Sequence, residues 1–239
     1  MLIASPAAAD TGSVTGSVKL PDLSSRGEPP ERNRGFLPRM GNPILPTKKY
    51  DPTPWMIIVL EPQDKLSGAD AEPLKVPTRY QLVGEAFESP VFPTTVGGEV
   101  EIRNASKQTV RLAAPSKPDL LPGDAVNPGG DRVMKAAAAY EVVEVVDPDS
   151  THLVGRVIAF PLRYHSRIDE DGNFSIDDVP AGDWTVKVWY RTGWLKMKAE
   201  RVSVASRRGS KVSISLPDVI EIDPPGGAGE IDPPGGAGK

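Results

Sequence analysis

The chain has 239 residues, a formal net charge of −4, two histidines and no cysteine. The missing cysteine excludes disulfides, iron–sulfur clusters, thiolate zinc sites and thiol nucleophiles. The charge balance gives no general attraction to nucleic acid, so no such partner is expected. The 23 glycines and 26 prolines favour short strands joined by turns, because both residues are poor helix formers.

The first ten residues are similar to the end of a secretory signal peptide. Ala7, Ala8 and Ala9 form an A-x-A pattern directly before Asp10, as at signal-peptide cleavage sites. We therefore expect an exported protein, periplasmic or in the cell envelope, with an ordinary Ala-rich terminus as the alternative. No apolar run approaches the roughly 18 residues of a membrane helix, and no transmembrane segment is expected.

The first third of the chain predicts two strands separated by a long loop. Residues 11–20 alternate small or polar residues with apolar ones, and residues 55–60 form an apolar run of strand length. Residues 21–54 are rich in proline and too long for a simple connection. Such segments are usually binding loops or arms, so this loop is a candidate contact region.

The middle and the last third predict a succession of short strands. Alternating or β-branched patterns indicate strands, and Asp-Gly-Asn and Pro-Ala-Gly-Asp segments indicate turns. The predicted strands cover residues 82–84, 99–104, 108–113, 140–146, 152–160, 174–176, 184–190, 201–204 and 211–216. The fold class that follows is all-β, with two antiparallel β-sandwich modules and long Pro/Gly-rich extensions.

The aromatic residues near position 190 predict a contact surface. Successive residues of a strand point to opposite faces, so Trp184 and Trp189 cannot enter the same core. Trp194 follows at a predicted hairpin tip. We expect Trp189, Tyr190 and Trp194 to contact a protein or a glycan; coverage by another part of the chain is the alternative.

Residues 171–188 read DGNFSIDDVPAGDWTVKV and resemble the signature of carboxypeptidase-regulatory-like domains. These domains are small β-sandwiches of the transthyretin or prealbumin type. Residues 12–20 and 55–60 are similar to the opening strands of the same module. The resemblance implies one discontinuous sandwich, built from residues 11–60 and 161–217, with no peptidase chemistry.

Residues 79–160, between those two halves, resemble a cupredoxin. Phe87, Pro93 and Asn104 fall in the frame that precedes the first copper-binding histidine of that family. This chain has Val110 at the histidine position, and it lacks the cysteine thiolate that a blue-copper site requires. The resemblance therefore implies a cupredoxin-like sandwich without its copper ligands, and no cofactor is expected.

Three residues are weak candidates for a metal site: His152, His165 and Asp149. Imidazole and carboxylate groups together could bind copper or zinc, whereas ordinary surface or turn positions are the alternative. No nucleophile elbow, phosphate-binding loop or HExxH motif occurs in the sequence. We therefore expect no catalytic residues and no enzymatic activity.

The C-terminal region carries an identical tandem repeat: EIDPPGGAG at residues 221–229 recurs at residues 230–238. Pro-Pro and Gly-Gly segments have no core to bury, so residues 218–239 are expected to be disordered or extended. Residues 21–54 and 218–239 would then be two arms that contact other protein subunits in a homo- or hetero-oligomer. The sequence predicts a structural protein of a bacterial envelope assembly; a metal-binding cupredoxin-like module and a glycan-binding sandwich are the alternatives.

Overall fold

A computed structural model describes residues 11–19, 52–64, 77–136, 138–169 and 171–224. The expectations for residues 1–10, for most of the loop 21–54 and for the tail beyond residue 224 lie outside these ranges. The described residues form strands, one turn of 3-10 helix (Thr53–Trp55) and no α-helix. Within them, no helix has the length and apolar character needed to cross a membrane.

Eighteen strands are present in the described residues, in the following order along the chain. They are β1 (Thr11–Lys19), β2 (Met56–Pro62), β3 (Thr78–Val83), β4 (Ala86–Phe87), β5 (Val91–Thr95), β6 (Glu99–Asn104), β7 (Val110–Ala113), β8 (Pro122–Val126), β9 (Asp131–Lys135), β10 (Val142–Asp147), β11 (Ser150–Phe160), β12 (His165–Arg167), β13 (Asn173–Pro180), β14 (Gly182–Tyr190), β15 (Gly193–Leu195), β16 (Glu200–Val204), β17 (Gly209–Ser215) and β18 (Ile222–Asp223).

The first sandwich contains β1, β2 and β12 to β18. One sheet has the strand order β13-β1-β17, and the other has the order β12-β2-β14-β15-β18, with β16 also paired to β14. The alternation along β14 turns Trp184, Val186 and Val188 into the core between these sheets. Phe174 of β13 packs there over Gly16, where a Cβ atom would meet its ring.

The second sandwich contains β3 to β11. Its sheets have the orders β4-β3-β6-β9 and β5-β11-β10-β7-β8. Tyr80 is fully buried between them, stacks on Phe87 and Phe92 with ring centroids 4.7 Å apart, and donates a 2.6 Å hydrogen bond to the carbonyl of Ser89. Its pKa is raised because burial disfavours the phenolate. Gly155 makes room for the Tyr80 and Phe87 rings.

The structure confirms an all-β protein with two sandwiches, and it also shows details that the sequence did not predict. Three strand pairs are parallel, namely β1 with β17, β3 with β6, and β5 with β11. The strands β4, β5, β8, β9, β12, β15 and β18 were not predicted either, since they are short and most of them contain polar residues, proline or glycine.

The second sandwich is inserted between two neighbouring strands of the first. After β2 the chain passes through β3 to β11, and it returns at β12, which pairs antiparallel with β2 through His165 and Val59. The entry and the exit of the insert therefore lie side by side. This arrangement brings the outer faces of β2 and β14 against the outer faces of β5 and β11.

Candidate functional site

The two sandwiches meet at a buried apolar cluster, here called the interface cluster. Its members lie on strands of both modules and are at most 3% exposed: Ile57, Val59, Val91, Ile158, Phe160 and Trp189. Strand β2 has apolar side chains on both faces, because one face lies in the first sandwich and the other in this interface. The apolar run at residues 56–60 is thus explained by burial on two sides.

The predicted aromatic contact surface belongs largely to this interface. Trp189 is 0% exposed, forms edge-to-face contacts with Phe160 and Trp194 at 5.7 and 5.1 Å, and donates a 3.2 Å hydrogen bond to the carbonyl of Arg191. Tyr190, 6% exposed, points into the core of the first sandwich.

Trp194 is half-buried within strand β15 and does not lie at a hairpin tip. The expected exposure of these three residues is therefore corrected. The second module covers the outer face of β14. This agrees with the alternative interpretation, in which another part of the chain covers the aromatic residues. Trp189 and Trp194 make their contacts inside the chain, between its two modules, whereas Tyr190 lies in the core of the first sandwich.

Two arginines join the modules at the edge of the interface cluster. Arg167 of β12 lies 3.5 Å from the carboxylate of Glu88 and stacks over the ring of Phe92 at 5.4 Å. Arg156 of β11 stacks over Trp55 at 5.4 Å. Partly exposed ion pairs and cation–π contacts each contribute little to the free energy of unfolding. They fix orientation more than they add stability, so the apolar cluster carries most of the binding between modules.

His165 is part of the same interface and is not available to a metal at the surface. Its ring lies 5.4 Å from that of Phe160 and is hydrogen-bonded to the backbone of Thr94. The Nε2 atom is buried and has no hydrogen-bond partner. Burial lowers the pKa of His165 to about 4, because the charged ring would lose its hydration. The ring is therefore neutral at pH 7.

His152 lies at the other end of β11 and is exposed. Phe160 lies eight residue steps further along the strand, and an extended strand of that length spans roughly 26 Å. Since His165 contacts Phe160, the two histidines are far too distant to share one metal ion.

The neighbourhood of His152 does not complete a metal site among the described residues. The Asp149 side chain is 68% exposed and pairs with Arg111 at 4.0 Å. In the described parts of the chain, no group of three or more metal-ligating side chains lies close together. The weak metal candidates His152, His165 and Asp149 are thus not brought together by the fold.

The region where a cupredoxin would hold its first copper ligand is filled by core residues and a polar network. Val110 is 6% exposed in the core of the second sandwich. The fully buried Asn104 donates hydrogen bonds of 2.8 and 2.9 Å to the carbonyls of Gln108 and Val126, and its Oδ1 atom accepts from Ser106. The resemblance to cupredoxins included Asn104, but the sequence did not predict that its side chain forms a buried hydrogen-bond network.

The first residues of the tandem repeat are docked on the edge of the first sandwich. Of these, Ile222 and Asp223 form β18 and pair antiparallel with Leu195 and Trp194 of β15. The Lys196 amide donates a 2.9 Å hydrogen bond to the carbonyl of Glu221. We call β15 together with Lys196 the docking edge.

Side chains complete this contact in two ways. The Nζ atom of Lys196 lies 3.4 Å from Asp223 and 3.5 Å from Glu221, and hydrogen bonding to these carboxylates raises its pKa. Gly193 lets the segment approach closely, because a Cβ atom there would collide with the Asp223 carbonyl oxygen and the Ile222 side chain. Part of the predicted tail is therefore an extended strand of the fold.

Two open cavities, of about 830 and 590 Å³, lie where β12 faces β13 and the second module. Both are lined in part by Ser166, Arg167 and Asp169. Arg167 is engaged with Glu88 and Phe92. Since both cavities are open to solvent and their arginine already has partners, we assign no ligand to either.

These features define a class: an all-β protein of two packed sandwiches whose best-developed sites are contacts between strands and modules. No family model and no curated protein matches the chain. Among solved structures it is similar to amicyanin from Paracoccus versutus, at 13% identity, covering 43% of this chain and 96% of that one, with a TM-score of 0.32.

Two further amicyanin structures are similar in the same way. A Cu(I) form of a point mutant shares 13% identity over 37% of this chain and 92% of that one, with a TM-score of 0.30. The reduced state of another mutant shares 12% identity over 42% of this chain and 98% of that one, with a TM-score of 0.29. At these values the likeness describes a β fold and carries no conclusion about copper or activity. The prealbumin-like resemblance of the first sandwich stays a prediction.

Proposed function

We propose that this chain is a non-enzymatic, exported structural or accessory protein that acts by protein–protein contact in a bacterial envelope assembly. The observation that supports it best is the docked segment β18. Here the chain binds a short extended peptide by adding it as a strand to a sheet edge, with a lysine for its two carboxylates. Strand addition of this kind is a common way for proteins to bind extended partners.

Further support comes from the organisation of the fold and from the sequence. The interface cluster holds two sandwiches together, which gives a scaffold larger than a single small domain. The A-x-A pattern at residues 7–9 supports export. The resemblance of residues 171–188 to an accessory β-sandwich family agrees with a role in binding rather than in chemistry.

Fractionation of the source bacterium tests this proposal directly. Antibodies against the purified chain should detect it in the periplasmic or envelope fraction, and mild cross-linking followed by native electrophoresis should show complexes well above the 25.6 kDa of one chain. A periplasmic and a cytoplasmic marker protein serve as controls. A chain that stays in the cytoplasm as a monomer would overturn the proposal.

Neither alternative function has a supporting observation in the described part of the chain. A shared metal site would need His152 and His165 close together, and they lie at opposite ends of β11. Glycan binding through the aromatic region would need exposed rings, and Trp184 and Trp189 are at most 1% exposed.

A further inference from the structure

The chain carries one docking edge in its described residues but two copies of the segment that fills it. The docked residues 221–223 read Glu-Ile-Asp, and residues 230–232 read the same. Both are followed by Pro-Pro-Gly-Gly-Ala-Gly. The second copy lies outside the described residues, so its binding site has to be inferred from the first.

The contacts of the first copy can all be made by the second. The backbone pairing with Leu195 and Trp194 does not depend on the side chains of the added strand. The ion pairs of Lys196 require two carboxylates separated by one residue, which Glu230 and Asp232 supply. The close approach at Gly193 requires only a backbone carbonyl and an aliphatic side chain, which Ile231 and Asp232 supply.

We propose that residues 230–232 of one chain bind the docking edge of a second copy of this chain. In the structure a chain's own edge is already filled by residues 221–223. Seven residue steps separate Asp223 from Glu230, which corresponds to a reach of at most roughly 25 Å. This is enough to reach a neighbouring molecule. The inference rests on the proposed function and names its partner as the chain itself.

Replacing residues 221–223 at the docking edge by residues 230–232 of a neighbouring chain has a low energetic cost. Strand β18 has two residues, and both are exposed, so its release disrupts few contacts compared with a strand of either core. An identical segment from a neighbour restores the same hydrogen bonds and ion pairs in place of the displaced residues 221–223, so the number of filled edges stays the same. The remaining cost is that of bringing two chains together, so the association depends on concentration. It grows where many copies are held close, as in an envelope assembly.

Disulfide trapping tests the proposal, and the absence of native cysteine makes it specific. The double variant Lys196→Cys with Glu230→Cys should form disulfide-linked dimers and larger species on mild oxidation of the full-length chain. The variant Lys196→Cys with Glu221→Cys should form a disulfide within one chain, which checks the geometry. The exposed Lys107 supplies the matched control: Lys107→Cys with Glu230→Cys should give at least about five-fold fewer dimers, because it lies away from the docking edge.

Two results of the trapping experiment would overturn the proposal. One is a disulfide between the cysteines introduced at positions 196 and 230 that forms only within one chain, since the second copy would then occupy its own edge. The other is a dimer yield equal to that of the Lys107→Cys control. Adding Gly193→Ala to the trapping variant should abolish the dimers, because the new Cβ atom blocks the edge, while the thermal unfolding temperature stays close to that of the parent.

Charge-reversal variants separate this inference from the proposed function. If charge reversal by Glu230→Lys and Asp232→Lys leaves the envelope complex intact, the chain binds other subunits and the self-association is refuted. If trapping succeeds with purified chain but no envelope complex exists in cells, the self-association stands and the proposed function fails.

Discussion

Acidification should destabilise the protein through His165. The ring lies in the module interface with Nε2 buried and unpartnered, and its pKa is lowered to about 4 from an ordinary value of 6.5. The folded state therefore binds a proton less readily than the unfolded state does. As the pH falls from about 6.5 towards about 4, the unfolded state takes up this proton first, and the free energy of unfolding decreases.

The size of the effect follows from the difference between the two pKa values. Each unit of difference between the two pKa values corresponds to about 1.4 kcal/mol. The free energy of unfolding is therefore lower by about 3 kcal/mol once the pH reaches about 4. Above about pH 7.5 both states are neutral at this position, and the contribution no longer changes with pH. Urea unfolding followed by tryptophan fluorescence at a series of pH values measures this loss.

Two variants isolate His165 from the carboxylates, which titrate in the same range. His165→Gln cannot take up a proton, so its free energy of unfolding should depend on pH less than that of the parent, by about 3 kcal/mol between about pH 7.5 and about pH 4. His152→Gln removes the exposed histidine instead and is the matched control for the loss of an imidazole. If His165→Gln retains the full pH dependence, the assignment of a neutral buried ring is refuted.

Three further substitutions probe the contacts described above. Trp189→Ala empties a fully buried interface position and should lower the free energy of unfolding in urea by about 3–5 kcal/mol; a loss below about 1 kcal/mol would contradict an intact interface. Asn104→Ala removes the buried donor to the Val126 carbonyl and the buried acceptor of the Ser106 amide and should cost about 3 kcal/mol in the same assay. Arg167→Ala removes a partly exposed ion pair and should cost at most about 1 kcal/mol, close to Arg79→Ala within the second module.

The strand patterns were predictable because they depend on neighbouring residues. The alternation at residues 99–104 matches β6, and that at residues 184–190 falls within β14. The opposite orientation of Trp184 and Trp189 was also predicted correctly, since one lies in the first core and the other in the interface cluster.

What covers Trp189 was not predictable, because it depends on Phe160 and Val91, which are distant in sequence. The pairing of Trp194 with Asp223 is likewise a long-range contact. The start of the tail carries no strand signal of its own, since Ile222 is the only β-branched residue between Glu221 and Pro224. Local propensity cannot identify a segment whose conformation is set by its partner strand.

The side-by-side position of β2 and β12 has a consequence for folding during synthesis. Val59 and His165 are paired, yet the whole second sandwich separates them in the chain, so the ribosome must complete that sandwich before this pair can form. Contacts of such long sequence separation slow folding. We therefore expect the second sandwich to fold first, while the apolar faces of β1 and β2 stay uncovered until the strands that follow residue 164 have been made.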